Sequence, residues 1–116
     1  HRWRKMLGGG MRQAGVLAAA ALHALDHHVD RLADDHANAR RLAEGLQGVS
    51  GVTVAAPQSN IVFVDLAVDK PNDIVARLRA QGVLATGLYK LRLVTHLDVS
   101  ADDIERAIPV LRQTLN

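Results

Sequence analysis

No cysteine occurs anywhere in the 116 residues, which excludes disulfides, thiolate metal ligands and a cysteine nucleophile. Aromatic residues make up only 3%, with one Trp, one Tyr and one Phe, so the core must be assembled from Ala, Val, Leu and Ile. The same shortage removes the stacking platform that single-stranded nucleic acid requires. Charge of neither sign dominates. A formal net charge of +2 gives a basic bias without the dense positive face of a nucleic-acid binder. The longest apolar run, residues 14–22, is far too short to cross a membrane, and no signal peptide is visible. These absences argue against nucleic acid and membrane as partners; they leave the compartment undecided, and the cytoplasmic location expected here is one that they fit.

What is present is an ordinary globular balance, 48% hydrophobic and 22% charged, in a length that allows one domain. The first residue is His1 rather than Met, and Arg2, Arg4 and Lys5 follow at once, which reads as a segment of a longer chain. Three glycines, Gly8, Gly9 and Gly10, precede a long helical stretch. Residues 14–25 are apolar nearly all round, which predicts a helix buried on several sides. Further on, Val29, Leu32, Ala33, His36, Ala39, Ala43 and Leu46 share one face, with Asp34, Asp35, Arg40, Arg41 and Glu44 around the rest. A kink is expected at Asp26, His27 and His28.

Gly45 and Gly48 end that stretch. Strands are predicted at 52–55, 61–66, 83–85 and 91–95, the last two around a bend at Gly87, with turn chemistry at Pro57 to Asn60 and again at residues 69–72. Asn72 is the expected cap of a helix over 73–81, closed by Gly82. Ser100 and Asp103 have the spacing of a capping box for a last helix, whose apolar face is Ile104, Ala107, Ile108, Leu111 and Leu115. The predicted order α, α, β, β, α, β, β, α, with two hairpin-like pairs and one-sided helices, describes an α+β two-layer sandwich.

Three groups of residues could carry chemistry. Lys5 and Arg12 flank the glycines, and a glycine-rich entry to a helix offers N–H groups and partial positive charge to a phosphate or carboxylate. The plain alternative is a hinge with solvated charges. The segment is neither a Walker loop nor a dinucleotide fingerprint, since no Gly-Lys-Ser/Thr follows and position 13 is Gln13. In the strand Leu91 to His96, alternation puts Arg92, Val94 and His96 on one face. A guanidinium there suits a carboxylate clamp, with an internal salt bridge as the plain alternative. His23 and His27 stand at i and i+4, but no clear third ligand accompanies them, and no metal site is assigned.

Taken together, the segments Arg2 to Gly15, Arg31 to Ala39, Pro57 to Val64 and Leu91 to Val99 resemble the low-specificity L-threonine aldolases, in the right order over essentially the whole chain. The resemblance implies the small C-terminal domain of a fold-type-I pyridoxal-phosphate enzyme, preceded by a long interdomain helix. Residues 1–28 would form the glycine motif and connecting helix, and 29–116 the C-terminal α+β domain. It also implies pyridoxal 5'-phosphate as cofactor, and cleavage of L-threonine, L-allo-threonine and other β-hydroxy-α-amino acids to glycine and an aldehyde.

Arg92 matches the family arginine that grips the substrate carboxylate. Lys5 and Arg12 match residues that reach toward a neighbouring subunit's cofactor site, near the phosphate. The partners implied are a missing N-terminal domain and further copies in a dimer or tetramer. The family's Schiff-base lysine has a Ser-Lys-Gly-like setting, which none of Lys5, Lys70 and Lys90 has, so this chain alone is expected to be inactive and to hold no catalytic residue. The competing readings are another fold-type-I lyase or aminotransferase, and a basic binding module.

Overall fold

Among the described residues of this computed structural model (1–67, 71–87 and 90–116) nine elements follow one another. They are α1 (Arg2–Met6), α2 (Gly15–His27), α3 (Leu32–Gly45), β1 (Val52–Val54), β2 (Ile61–Leu66), α4 (Pro71–Ala80), β3 (Thr86–Gly87), β4 (Leu91–Val94) and α5 (Ala101–Leu115). The chain divides into two compact units, His1–Arg31 and Leu32–Asn116.

The first unit holds α1 and α2. Gly8 donates to the Lys5 carbonyl and Gly9 to the Arg4 carbonyl, the paired bonds that close a helix C-terminus. That closure requires the left-handed backbone at Gly8, whose φ is +80°. The glycines therefore end α1, a short helix that was not expected, and α2 begins only at Gly15. Neither helix buries a side chain, so the helix expected to be buried on several sides is bare in this chain. Its apolar residues point in every direction, and no single face gathers enough of them to pack one-sidedly. In place of a kink, the helical stretch breaks between His27 and Leu32.

The second unit is a four-stranded antiparallel sheet in the order β1-β2-β4-β3, with α3, α4 and α5 on one face. Period-two alternation sorts the strands. Val62 and Val64 of β2 and Leu91 and Leu93 of β4 are buried against the helices, while Phe63, Arg92 and Val94 stand on the outer face. Leu42, Leu46, Leu78, Ile104 and Leu111 complete the core. The register pairs Phe63 with Arg92 and Ile61 with Val94.

Packing between α3 and α5 depends on Gly45, where an added Cβ would lie 2.6 Å from Ile108 Cδ1. Arg112 then caps α3, donating to the carbonyls of Gly45 and Gln47 at 2.7 and 3.1 Å. The capping box at Ser100 forms in full, with Asp103 N–H donating to Ser100 Oγ and Ser100 N–H to the Asp103 carboxylate.

Four expectations need correction. Asp35 is buried, 3% exposed, instead of solvated. Its carbonyl accepts from Thr95 Oγ at 2.7 Å, and the nearby Asn38 amide donates to the Val99 carbonyl, so a polar row of α3 faces inward with its bonds made. Helix α4 starts at Pro71, a residue suited to a first turn, which places Asn72 inside the helix instead of at its cap. Asp69 and Lys70 of the expected turn lie outside the described residues. The strand expected at 83–85 does not form, because the Val83 N–H is spent on the Leu78 carbonyl in closing α4. Pairing with β4 starts only at Thr86. Finally, Gly87, the expected bend, belongs to β3.

Candidate functional site

The late start of β3 leaves the edge of β4 open beyond Arg92, and a groove of about 420 Å³ forms there. Its walls are Leu84, Ala85 and Thr86 on one side and Arg92, Val94 and His96 on the other, with Val75 and Arg79 of α4 at the end. All three residues that alternation placed on one face of β4 thus line one groove. Three of its side chains are basic or can become so, and none is acidic. Apolar walls of Val, Leu and Ala give it the mixed character of a site for a small amphipathic anion.

Arg92 is exposed, and no hydrogen bond or ion pair joins it to another described residue. The alternative of an internal salt bridge is therefore not met among the described residues. The acid nearest in register is Asp65 on β2, and it is already engaged. Lys90 Nζ lies 2.7 Å from Asp65 Oδ1 and donates to Oδ2 at 2.9 Å. Phe63, 48% exposed, is the direct cross-strand partner of Arg92 and lies beside it on the outer face. A cation with an apolar flank and no acid of its own is poised for an external carboxylate, which accepts two parallel N–H bonds from the guanidinium plane.

His96, at the far end of the groove, accepts from the Asp98 N–H and lies 3.7 Å from the Asp98 carboxylate. It also borders a second cleft of about 580 Å³ that opens toward Asp103 and Arg106 of α5. Reading the strand by itself missed Arg79, Phe63 and the Lys90–Asp65 pair. Only Lys90 left a signal there, as the residue two before Arg92 on the same face of an alternating strand.

Lys5 and Arg12 belong to the first unit, and Arg92 to the second. Both are exposed. Lys5 turns back along the glycines, since a Cβ added at Gly10 would lie 4.0 Å from its Nζ. Gly8 and Gly9 spend their N–H groups on α1, so two of the three donors counted on for an anion are used. Arg12 precedes Gln13, a non-glycine residue held at φ +52°. The rings of His23 and His27 stack with centroids 4.2 Å apart, and His28 meets His23 edge-on. No group of three or more His, Asp or Glu side chains that could hold a metal ion occurs among the described residues. Among these residues no helix is long and apolar enough to cross a membrane.

The family model described as beta-eliminating lyase matches residues 1–69. A low specificity L-threonine aldolase of Escherichia coli is 44% identical over 103 residues, covering 89% of this chain and 31% of that protein. A low-specificity L-threonine aldolase 1 of Arabidopsis thaliana is 36% identical over 121 residues, 97% of this chain and 33% of the relative. Among solved structures, an aminotransferase from Streptoalloteichus hindustanus superposes with a TM-score of 0.62 at 20% identity, over 72% of this chain and 31% of that one. The chain thus spans about a third of the length of the relatives it matches.

Proposed function

The chain belongs to the beta-eliminating lyase family, and from that premise we propose that it is the C-terminal part of an aldolase that uses pyridoxal 5'-phosphate. The reaction proposed is cleavage of L-threonine, L-allo-threonine and related β-hydroxy-α-amino acids to glycine and an aldehyde. The observation that carries this reading is Arg92, exposed in a groove without an acid and with no partner among the described residues. Similarity to threonine aldolases over 89% of the chain supports it.

The residues present fit the cofactor in part. Lys5 and Arg12 are exposed cations beside the glycine turn, and would hold its phosphate in the site of a neighbouring subunit. Lys90 has both oxygens of Asp65 around its ammonium and is not placed as a lysine for the cofactor carbonyl. When bound, pyridoxal phosphate supplies the electron sink for breaking the bond between Cα and Cβ. Arg92 binds the carboxylate through two N–H donors and so fixes rotation of the amino acid about its Cα. That choice of rotamer decides which bond at Cα is presented for cleavage, and makes the clamp a contributor to rate as well as to affinity. Partnership with the remaining domain, assembly with further copies and a cytoplasmic location belong to the same proposal.

The test uses a full-length protein carrying this segment. Arg92→Ala removes one partner of a charge pair, a cost of about 2–5 kcal/mol, so kcat/KM on threonine should fall roughly 30-fold to several thousand-fold. Arg92→Lys keeps the charge without the planar fork and should remain well below wild type. Retention of the cofactor absorbance shows that the fold survives. A near-normal kcat/KM in either variant would sink the assignment.

A further inference from the structure

Four strands carry one acidic residue between them, Asp65, and it shares the outer face with Arg92. The register sets Phe63 opposite Arg92, and Asp65 is two residues further along β2. Asp65 and Arg92 are therefore diagonal neighbours across an antiparallel pair, a separation of about 7–8 Å that long side chains span. In the structure Asp65 does not take Arg92. It is held by Lys90, which stands beside it on the same face and contacts both carboxylate oxygens.

We infer that Lys90 is a positioning residue for Arg92: by occupying both oxygens of Asp65, it keeps the sheet's own acid from closing the carboxylate clamp. The inference rests on the reading of Arg92 as that clamp. The side chains of Lys90 and Asp65 are 52% and 47% exposed, a degree at which an ion pair contributes little to stability. Its consequence is a choice of partner. With Lys90 in place Asp65 is satisfied and Arg92 stays open. Without Lys90, the carboxylate swings across the diagonal to the remaining cation, and an incoming amino acid must displace it before binding.

Competition of this kind raises KM and leaves kcat alone, because once the substrate has displaced Asp65 the bound geometry is unchanged. In the full-length protein, Lys90→Ala and Lys90→Gln should each raise KM for threonine about three- to tenfold, with kcat within about twofold. The dissociation constant for glycine, measured by equilibrium titration of the cofactor spectrum, should rise by the same factor. Lys90→Arg should stay near wild type. Asp65→Asn alone should leave KM within about twofold, and adding it to Lys90→Ala should restore KM, since the competitor is gone.

A general effect of local charge would behave otherwise. Asp65→Asn alone would then lower KM about as much as Lys90→Ala raises it, and added salt would erase both changes. That result overturns the inference, as does an unchanged KM in Lys90→Ala or a double variant no better than the single one. Arg92→Ala, run in parallel, separates the two failures. If it keeps normal kinetics, the clamp reading falls and this inference with it. If it is crippled while the Lys90 variants are normal, only the inference falls.

Discussion

In the unit Leu32–Asn116, Leu78 and Leu91 are fully buried and Leu46 and Leu111 are 1% exposed, whereas in His1–Arg31 Val16 is 81% exposed and no helix hides a side chain. Both units contain apolar helices, so the difference lies in what those helices have to pack on. Helices α3, α4 and α5 set their apolar stripes against the inner face of a sheet, and each residue buried removes another from water. Helix α2 is apolar around its whole circumference and meets no sheet of its own unit. The candidate charges inherit that difference. Arg92 stands on a strand whose other face is core, so its position is held by packing that it does not itself take part in. Lys5 sits on a five-residue helix and Arg12 in the turn that follows, in a unit whose helices bury no side chain.

The largest test of this contrast is truncation on both sides. Leu111→Ala should destabilise the chain by about 2–5 kcal/mol in urea unfolding, the cost of a cavity in a closed core. Leu22→Ala in α2 should change stability by no more than about 0.5 kcal/mol, as expected for an exposed site. Equal effects would erase the distinction between the units.

A smaller effect sharpens the account of the core. Gly45→Ala places a methyl group against Ile108 and should cost about 1–3 kcal/mol by overpacking. Ile108→Val in the same chain should recover part of that loss, because it removes the methyl at Cδ1, the atom met first. A double variant as unstable as the sum of the singles would mean that the helix end, and not the α3–α5 contact, demands glycine.

The smallest effect concerns pH. The Asp103 carboxyl is held below its usual 3.8, first by the Ser100 hydroxyl, then by the Ser100 N–H, with Arg106 adding to both. A carboxylate lowered in the folded state contributes stability that is present above the unfolded value and lost as pH falls through the folded one. The chain should therefore weaken as pH drops below about 4, a loss that acts through the cap of α5. Ser100→Ala should remove about 1 kcal/mol at neutral pH and flatten the acid limb. An acid limb of unchanged slope in that variant would show that Asp103 does not owe its shift to the cap.

Local information was legible along most of the chain. The alternation Leu91, Arg92, Leu93, Val94 announced which residues face the core, and the burial follows it. Ser100 and Asp103 announced a helix start, and the box forms. Each of these depends on residues within one or two turns or on the two-fold pleat of a single strand, so the sequence by itself determined them. The family resemblance was also legible, because it resides in short motifs.

Only the tertiary structure decided the rest, and the reason is the same in each case: the partner is distant in the chain. Asp35 is interior, and Thr95, 60 residues away, ties its backbone to the end of β4 by donating to its carbonyl. Residues 83–85 leave the ladder because Leu78 claims the Val83 N–H, and the groove beside Arg92 follows from that gap. Lys90 meets Asp65 across 25 residues through the β2–β4 register, which neither strand specifies alone. A polar residue read by its own periodicity is assigned to water. Whether it goes there depends on whether folding brings it a partner that repays the loss of hydration.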